Sequence, residues 1–281
     1  MLLKAVAWLL LLTPCLSLSA QQLAAPVTSL RVYLFDCGVI HGEDPLDYGL
    51  GKDQVKDPAM VVPCYLIVHP KGTLMWDAGA IPDSAFHGNQ PMHLKADNDV
   101  VTVPRPLLPQ MAAIGYPASS ITYVAFSHYH FDHIANANAF AGSTWLVHPA
   151  ERDAMFSASA FEQSLYSQLK HSKTIILTDN DYNVFGDGSV VIKYAPGHTP
   201  GHQVLALKLP ETGPVLIAGD LWHYTAERTL TRAPKGEANP QQTLASRRAM
   251  ETYLKQSGAQ LWIEHDPATF ARLKKAPAFI Q

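Results

Sequence analysis

The 281-residue sequence is poor in charge: 16% of its residues are Asp, Glu, Lys or Arg, against 47% hydrophobic. That excludes a disordered chain, which combines low hydrophobicity with high net charge. A basic surplus is also missing, because 21 Lys and Arg face 24 Asp and Glu, for a formal charge of −3. Without spare cations to neutralise phosphates, nucleic acid is not an expected partner. Three cysteines are too few for a fold built on disulfides. Repeats, low-complexity tracts and a collagen or coiled-coil pattern are absent from the sequence. Beyond the N-terminus no apolar run approaches the roughly 20 residues a membrane span needs. The length allows one large domain or two small ones, either able to bury a core.

The first 20 residues read as a secretory signal. Lys4 supplies the positive start, Ala5 to Leu12 an apolar run too short to span, and Pro14 its end. Ser17-Leu18-Ser19 places small residues where a signal peptidase looks, so cleavage is expected after Ser19 or Ala20. The expected product is residues 21–281, exported to a periplasm or beyond. Two readings of Cys37 and Cys64 stand. They pair in an oxidising compartment, or they are small buried thiols on neighbouring strands. The second is the expectation.

Ser29 to Phe35, Cys64 to Val68, Thr73 to Trp76, Thr122 to Phe126, Val190 to Tyr194, Val204 to Leu209, Val215 to Ala218 and Leu261 to Ile263 read as strands. Leu107 to Ile114, ended by Gly115, reads as a helix, as do Pro149 to about Leu169 and residues 241–257. Residues 41–60 and 80–106 are rich in Pro, Gly, Asp and His and read as long loops, which in a compact domain are usually functional. Runs of strands with interspersed helices predict a layered α/β or α+β sandwich.

The chemistry concentrates in histidine, of which there are 13. Ser127-His128-Tyr129-His130-Phe131-Asp132-His133 follows directly on a strand. Alternate residues share a face, so His128 and His130 aim to one side. Asp132 and His133 open the next helix and project from another direction. Imidazole and carboxylate are the donors that Zn²⁺ and similar ions accept, and four in so short a stretch can serve two ions. Three later segments supply what such a site still needs. These are the turn-rich Ala195-Pro196-Gly197-His198-Thr199-Pro200-Gly201-His202, then Ala218-Gly219-Asp220, then Ile263-Glu264-His265-Asp266. Each is weak alone; in this order they form a joint signal.

With these segments the sequence resembles the metallo-β-lactamase superfamily over nearly all of residues 21–281. The resemblance implies an α+β fold, the four-layer αβ/βα sandwich, with metals at one edge of two packed sheets. It implies that His128, His130 and His198 ligate a first metal ion, and Asp132, His133 and His265 a second, with Asp220 bridging both. Asp77, in Trp76-Asp77-Ala78-Gly79, is implied to support the ligand loops, and His202 to be a non-ligating histidine. Within the superfamily the sequence is similar to N-acyl homoserine lactonases, through Phe35-Asp36-Cys37-Gly38, Cys64 to Val68, Ile114-Gly115-Tyr116 and Pro196 to Gln203. One position departs. Those lactonases carry a tyrosine three residues after the bridging aspartate; here His223 stands there and Tyr224 follows.

The resemblance implies a hydroxide held between two cations as nucleophile, so no serine or cysteine is needed. Asp132 and Asp220 are the candidate catalytic carboxylates, Asp220 also shuttling the proton to the departing alkoxide. His223 or Tyr224 assists at the carbonyl. Zinc is the expected metal, with iron, cobalt and manganese also suited to these ligands. The expected substrate is a small lactone, acyl-homoserine lactones first; the alternative is another hydrolase of the same fold, a β-lactamase, thioester hydrolase or phosphodiesterase. Tyr48, Phe86, Met92 and Trp222 are candidates to line an acyl-chain groove.

Overall fold

A computed structural model describes residues 27–88, 90–93 and 100–281. The expected signal at 1–20 lies outside the described residues. Among them, no helix is long and apolar enough to cross a membrane. One sheet has eight strands: β1 (Arg31–His41), β2 (Met60–His69), β3 (Gly72–Trp76), β4 (Met92–His93), β5 (Val100–Thr102), β6 (Tyr123–Ala125), β7 (Thr144–Val147) and β8 (Thr174–Ile176). Their spatial order is β4-β5-β1-β2-β3-β6-β7-β8. The second sheet is built from β9 (Asp181–Asn183), β10 (Val190–Tyr194), β11 (Gln203–Leu209), β12 (Gly213–Ile217) and β13 (Gln260–Trp262), in the order β13-β12-β11-β10-β9. The helices are α1 (Leu107–Ala113), α2 (Phe131–Ile134), α3 (Pro149–Met155), α4 (Ala160–Tyr166), α5 (Pro240–Ser257) and α6 (Pro267–Arg272).

Side-chain alternation sorts the apolar residues into three cores. Val32 and Leu34 of β1, Tyr65 and Ile67 of β2, and Leu74 and Trp76 of β3 meet Val190, Ile192, Leu205, Leu207, Val215 and Ile217 between the sheets. The intervening residues, among them Phe35, Cys64, Leu66 and Met75, face a core shared with α1 and α3 through Leu107, Met111 and Met155. On the far side Val204, Ala206 and Leu216 pack under Met250 and Leu254 of α5. Three cores make four layers, helix, sheet, sheet, helix. Both faces of β2 are covered, which is why its ten residues, all buried, read as an unbroken apolar run rather than an alternation.

Several elements differ from the sequence reading. The segment 149–169 is not one helix: α3 ends near Phe156, whose N–H bonds back to Arg152 O, and α4 starts afresh at Ala160. The Tyr166 hydroxyl donates to Met155 O, satisfying a carbonyl that α3 leaves open. The loop 80–106 contains β4 and β5, two and three residues long. The strands β7, β8 and β9 and the helix α6 carry too little periodicity to have been read at all.

Cys37 and Cys64 correct the expectation of two free thiols, because they form a disulfide with Cα atoms 6.1 Å apart. Phe35 pairs with Cys64, and the β1–β2 register breaks between Asp36 and Val39. That bulge carries Cys37, on the same face as Phe35, toward Cys64. The bond closes a loop of 27 residues in sequence separation. Cross-linking a loop of that size is expected to contribute about 3–4 kcal/mol, mainly by restricting the unfolded chain. Replacing both cysteines with alanine should therefore lower the unfolding free energy by that amount, read from a denaturant titration, without changing the fold by circular dichroism.

Candidate metal centre

The site is assembled where strands end at one edge of both sheets. β3 and β6 are parallel neighbours, as are β12 and β13, so the chains leaving them emerge together. β6 delivers Phe126 to His133, β12 delivers Asp220, β13 delivers His265, and the loop from β10 to β11 delivers His198. Gln203 stitches the sheets together, its backbone N–H donating to Ser127 O and its side-chain amide to Phe126 O. Gly219 lets the Asp220 turn approach His202. It has φ +51°, and a Cβ there would lie 2.7 Å from His202 Nε2.

Two donor groups result. His128, His130, His198 and Asp220 offer atoms that all lie within 4.8 Å of one another, and so do Asp132, His133 and His265. Asp220 divides its oxygens between them. Its Oδ2 lies 3.3 Å from His198 Nε2 and 3.5 Å from His128 Nε2. Its Oδ1 lies 3.0 Å from both His133 Nε2 and His265 Nε2. Ring nitrogens converge in pairs as well, His198 Nε2 on His130 Nδ1 at 3.0 Å and His133 Nε2 on His265 Nε2 at 3.2 Å.

The opposite ring nitrogens are already engaged. His133 Nδ1 lies 2.8 Å from Asp77 Oδ2, His198 Nδ1 3.0 Å from Glu237 Oε1, and His265 Nδ1 2.9 Å from Val61 O. Such contacts orient a ligating imidazole and fix its tautomer, leaving the inward nitrogen as donor. His128 Nε2 and Asp220 Oδ1 are buried and make no hydrogen bond. Leaving buried polar atoms in this state is costly unless a cation takes them up. The donor chemistry and these orphaned atoms fit two divalent metal ions.

Electrostatics agree. Burial, followed by repulsion from neighbouring imidazoles, pushes His128 well below its ordinary value and His130 down to about 3, so both keep a free lone pair. Burial alone would raise Asp132, but the His133 imidazole outweighs it and holds the carboxyl at about 2. Burial likewise opposes ionisation of Asp220, yet His265, His133 and His128 hold it well below the carboxylate range. His202 is a non-ligand by geometry. Its Nδ1 faces Ala195 O at 3.0 Å, and its Nε2 accepts the Asp220 N–H at 3.0 Å. Asp77 takes φ +59°, an uncommon conformation for a non-glycine residue, and accepts from Ser127 N–H at 2.7 Å and Ser127 Oγ–H at 2.9 Å. Asp77, His133 and Glu264 also cluster, but Asp77 already occupies the outer nitrogen of His133. Burial and the Asp77 charge raise Glu264 well above the usual range.

The metallo-beta-lactamase superfamily model matches residues 57–250. The chain belongs to this superfamily. A metallo-beta-lactamase-superfamily relative, N-acyl homoserine lactonase AttM of Rhizobium radiobacter, is 28% identical over 266 residues, covering 90% of this chain and 99% of the relative. The structure of an N-acyl homoserine lactone hydrolase with N-hexanoyl-L-homoserine at its catalytic metal center superposes with TM-score 0.76 at 22% identity, over 90% of this chain and 100% of that one. AidC, a dizinc quorum-quenching lactonase, gives 0.65 at 21% identity, over 89% and 93%. These likenesses show the metallo-β-lactamase fold, the αβ/βα sandwich built above.

All seven expected donors of this superfamily member are thus brought to one centre. Of the two residues after the Asp220 turn, His223 faces the donors, with Nε2 3.3 Å from Asp220 Oδ2. The Tyr224 hydroxyl is not brought there, because it donates to Pro58 O at 2.7 Å. Trp222 is core, 1% exposed beneath α5. Phe86 and Met92 are half-buried against the β1–β3 core, while the Tyr48 ring lies 4.6 Å from the His223 ring.

Sequence reasoning missed the carboxylates that brace the centre: Glu151, Glu227, Glu237 and Glu264. Glu151, on α3, accepts from Tyr129 N–H at 2.8 Å, Thr199 Oγ1–H at 2.8 Å and Gly201 N–H at 2.8 Å, tying the His128–His133 loop to the His198 loop. A Cβ at Gly201 would come 2.4 Å from Glu151 N, so only glycine admits this contact. Burial raises Glu151 to about 7, against the pull of those hydrogen bonds. Glu151→Ala removes the acceptor of two backbone N–H groups, at about 1–3 kcal/mol each. The expected result is a destabilisation of about 3 kcal/mol and fewer than two metal ions per chain by elemental analysis. For Glu151 and Glu264 no local pattern marks the role, since their partners lie tens of residues away.

Proposed function

We propose that this protein is a dizinc hydrolase that opens lactone rings, N-acyl homoserine lactones first, and that it acts after export. The observation that carries the reading is Asp220, whose two oxygens face two separate imidazole groups, a placement that suits a ligand shared by two ions. The names of the relatives and of the structural neighbours, lactonases acting on acyl-homoserine lactones, support the substrate class.

His128, His130 and His198 would hold one ion and Asp132, His133 and His265 the other, with Asp220 shared. Bound there, the pair supplies a water of lowered pKa as nucleophile and Lewis acidity at the ester carbonyl. His223 Nε2, beside Asp220 Oδ2, is placed to donate a hydrogen bond to an oxygen of the ester. Asp220 Oδ2 lies where it can carry the proton to the alkoxide released as the ring opens. The Tyr48 ring packs beside that of His223, centroids 4.6 Å apart.

Ring opening consumes one water and yields a hydroxy carboxylate and one proton. The purified protein should acidify a weakly buffered solution of N-hexanoyl-homoserine lactone in proportion to substrate opened. Run in parallel, a chromogenic cephalosporin and a thioester should turn over at least about 100-fold more slowly, since a site built for one ester rejects groups it cannot pair. Faster cephalosporin or thioester cleavage would assign the centre to another hydrolase. The Cys37–Cys64 disulfide supports export, because such bonds persist in oxidising compartments. Mass spectrometry of the mature protein should find an N-terminus at Ala20 or Gln21, and an intact Met1 would refute it.

A further inference from the structure

We propose that Glu227, with Arg247 as its counter-charge, is a positioning residue that holds the His223 imidazole with Nε2 directed into the metal centre. The proposal deepens the lactonase reading and rests on it for its kinetic part.

Glu227 is fully buried. Its Oε1 accepts from the backbone N–H of His223 at 2.7 Å and of Tyr224 at 2.9 Å, and it lies 3.4 Å from His223 Nδ1. Its Oε2 receives Arg247 Nη2–H from α5. Arg247 is itself anchored, Nε donating to Leu221 O at 2.7 Å. The His223 ring is gripped on its faces as well. The His265 ring is parallel to it within 6°, centroids 5.8 Å apart, and the Tyr48 ring approaches to 4.6 Å. The buried Nδ1 makes no hydrogen bond and has the Glu227 carboxylate 3.4 Å away, while Nε2 is directed toward Asp220, 3.3 Å away.

A plainer role exists. Glu227 completes a capping box for the 3-10 turn Thr225–Thr229. Capping alone does not call for a buried guanidinium. Burying an ion pair is a poor source of stability, because desolvation offsets the attraction, and in some proteins such a pair serves to fix one geometry. The Glu227–Arg247 pair is buried against an imidazole that faces Asp220 without belonging to either donor group.

The test is a double-mutant cycle in the zinc-loaded full chain, with N-hexanoyl-homoserine lactone as substrate. Glu227→Gln keeps the size and an oxygen to cap the turn. It should lower kcat about tenfold with KM within about twofold, and His223→Ala should lower kcat about 100-fold. The double variant should be no slower than His223→Ala alone, because a residue acting only through His223 has nothing left to position. All three should retain two zinc ions per chain. Independently of turnover, the His223 Nδ1–H resonance, identified by its loss in His223→Ala, should be visible by NMR in the parent and move upfield in Glu227→Gln, whose neutral amide oxygen attracts the proton less than a carboxylate does. Multiplying effects in the double variant, loss of zinc from Glu227→Gln, or an unchanged resonance would each overturn the proposal. A parent protein that opens no lactone would overturn the lactonase reading instead, and the NMR result would still decide whether Glu227 holds the ring.

Discussion

Asp220→Ala is expected to reduce lactone opening by at least about 1000-fold, equivalent to roughly 4 kcal/mol of lost transition-state stabilisation. No other side chain of the centre faces both donor groups with separate atoms. Its removal takes one ligand from each ion and also the carboxylate proposed to carry the proton. Elemental analysis should find fewer than two ions per chain. Far-UV circular dichroism should stay close to that of the parent, because Asp220 lies beyond the end of β12 and outside all three apolar cores. Asp132→Ala removes a donor from one group only and should retain one tightly held ion. Full activity in the Asp220 variant would remove the shared-carboxylate arrangement from any account of this protein.

Metal removal should have the second large effect, on stability rather than rate. The centre gathers five imidazoles and two carboxylates proposed as ligands, six of these seven residues under 10% exposed and His130 half-buried. Without ions those groups repel one another in part and leave His128 Nε2 and Asp220 Oδ1 unsatisfied. An ion present at about a thousand times its Kd adds about 4 kcal/mol to the folded state. For a domain of this size that is a rise in Tm of roughly 8–16 °C per ion. Chelation should therefore lower Tm by at least that amount, and zinc should restore it. Asp220→Ala should respond to zinc far less. A Tm indifferent to chelator and zinc would mean that these donors form a self-sufficient hydrogen-bonded cluster.

Much of the centre was legible because each ligand segment is a local object. A strand followed by a turn that carries His, Asp or both can be read wherever it occurs, and His128 to His133 is such a segment even in isolation. The framework strands were legible for the same reason, being long enough to show β-branched and apolar runs. The elements that were missed, such as β4, β8 and β9, are two or three residues long, and their existence depends on a neighbouring strand that supplies the hydrogen bonds. The break between α3 and α4 was hidden because Ser157 to Ser159 interrupts helix formers without a proline or glycine to mark the stop. Glu151 and Glu227 left no trace, since a glutamate near a helix start looks the same whether it faces water or a ligand loop.

By itself, the sequence determined which donor types are present, in what order, and at which strand ends, because short-range chemistry dictates strand, turn and donor within a few residues. Tertiary structure alone decided which atoms meet. It split the oxygens of Asp220 between two groups, turned His223 toward the centre and Tyr224 toward Pro58, joined Cys37 to Cys64, and set Glu151 and Glu227 behind the ligand loops. Those outcomes depend on how two sheets pack and where a strand bulges, and such geometry is fixed by contacts between residues far apart in the chain.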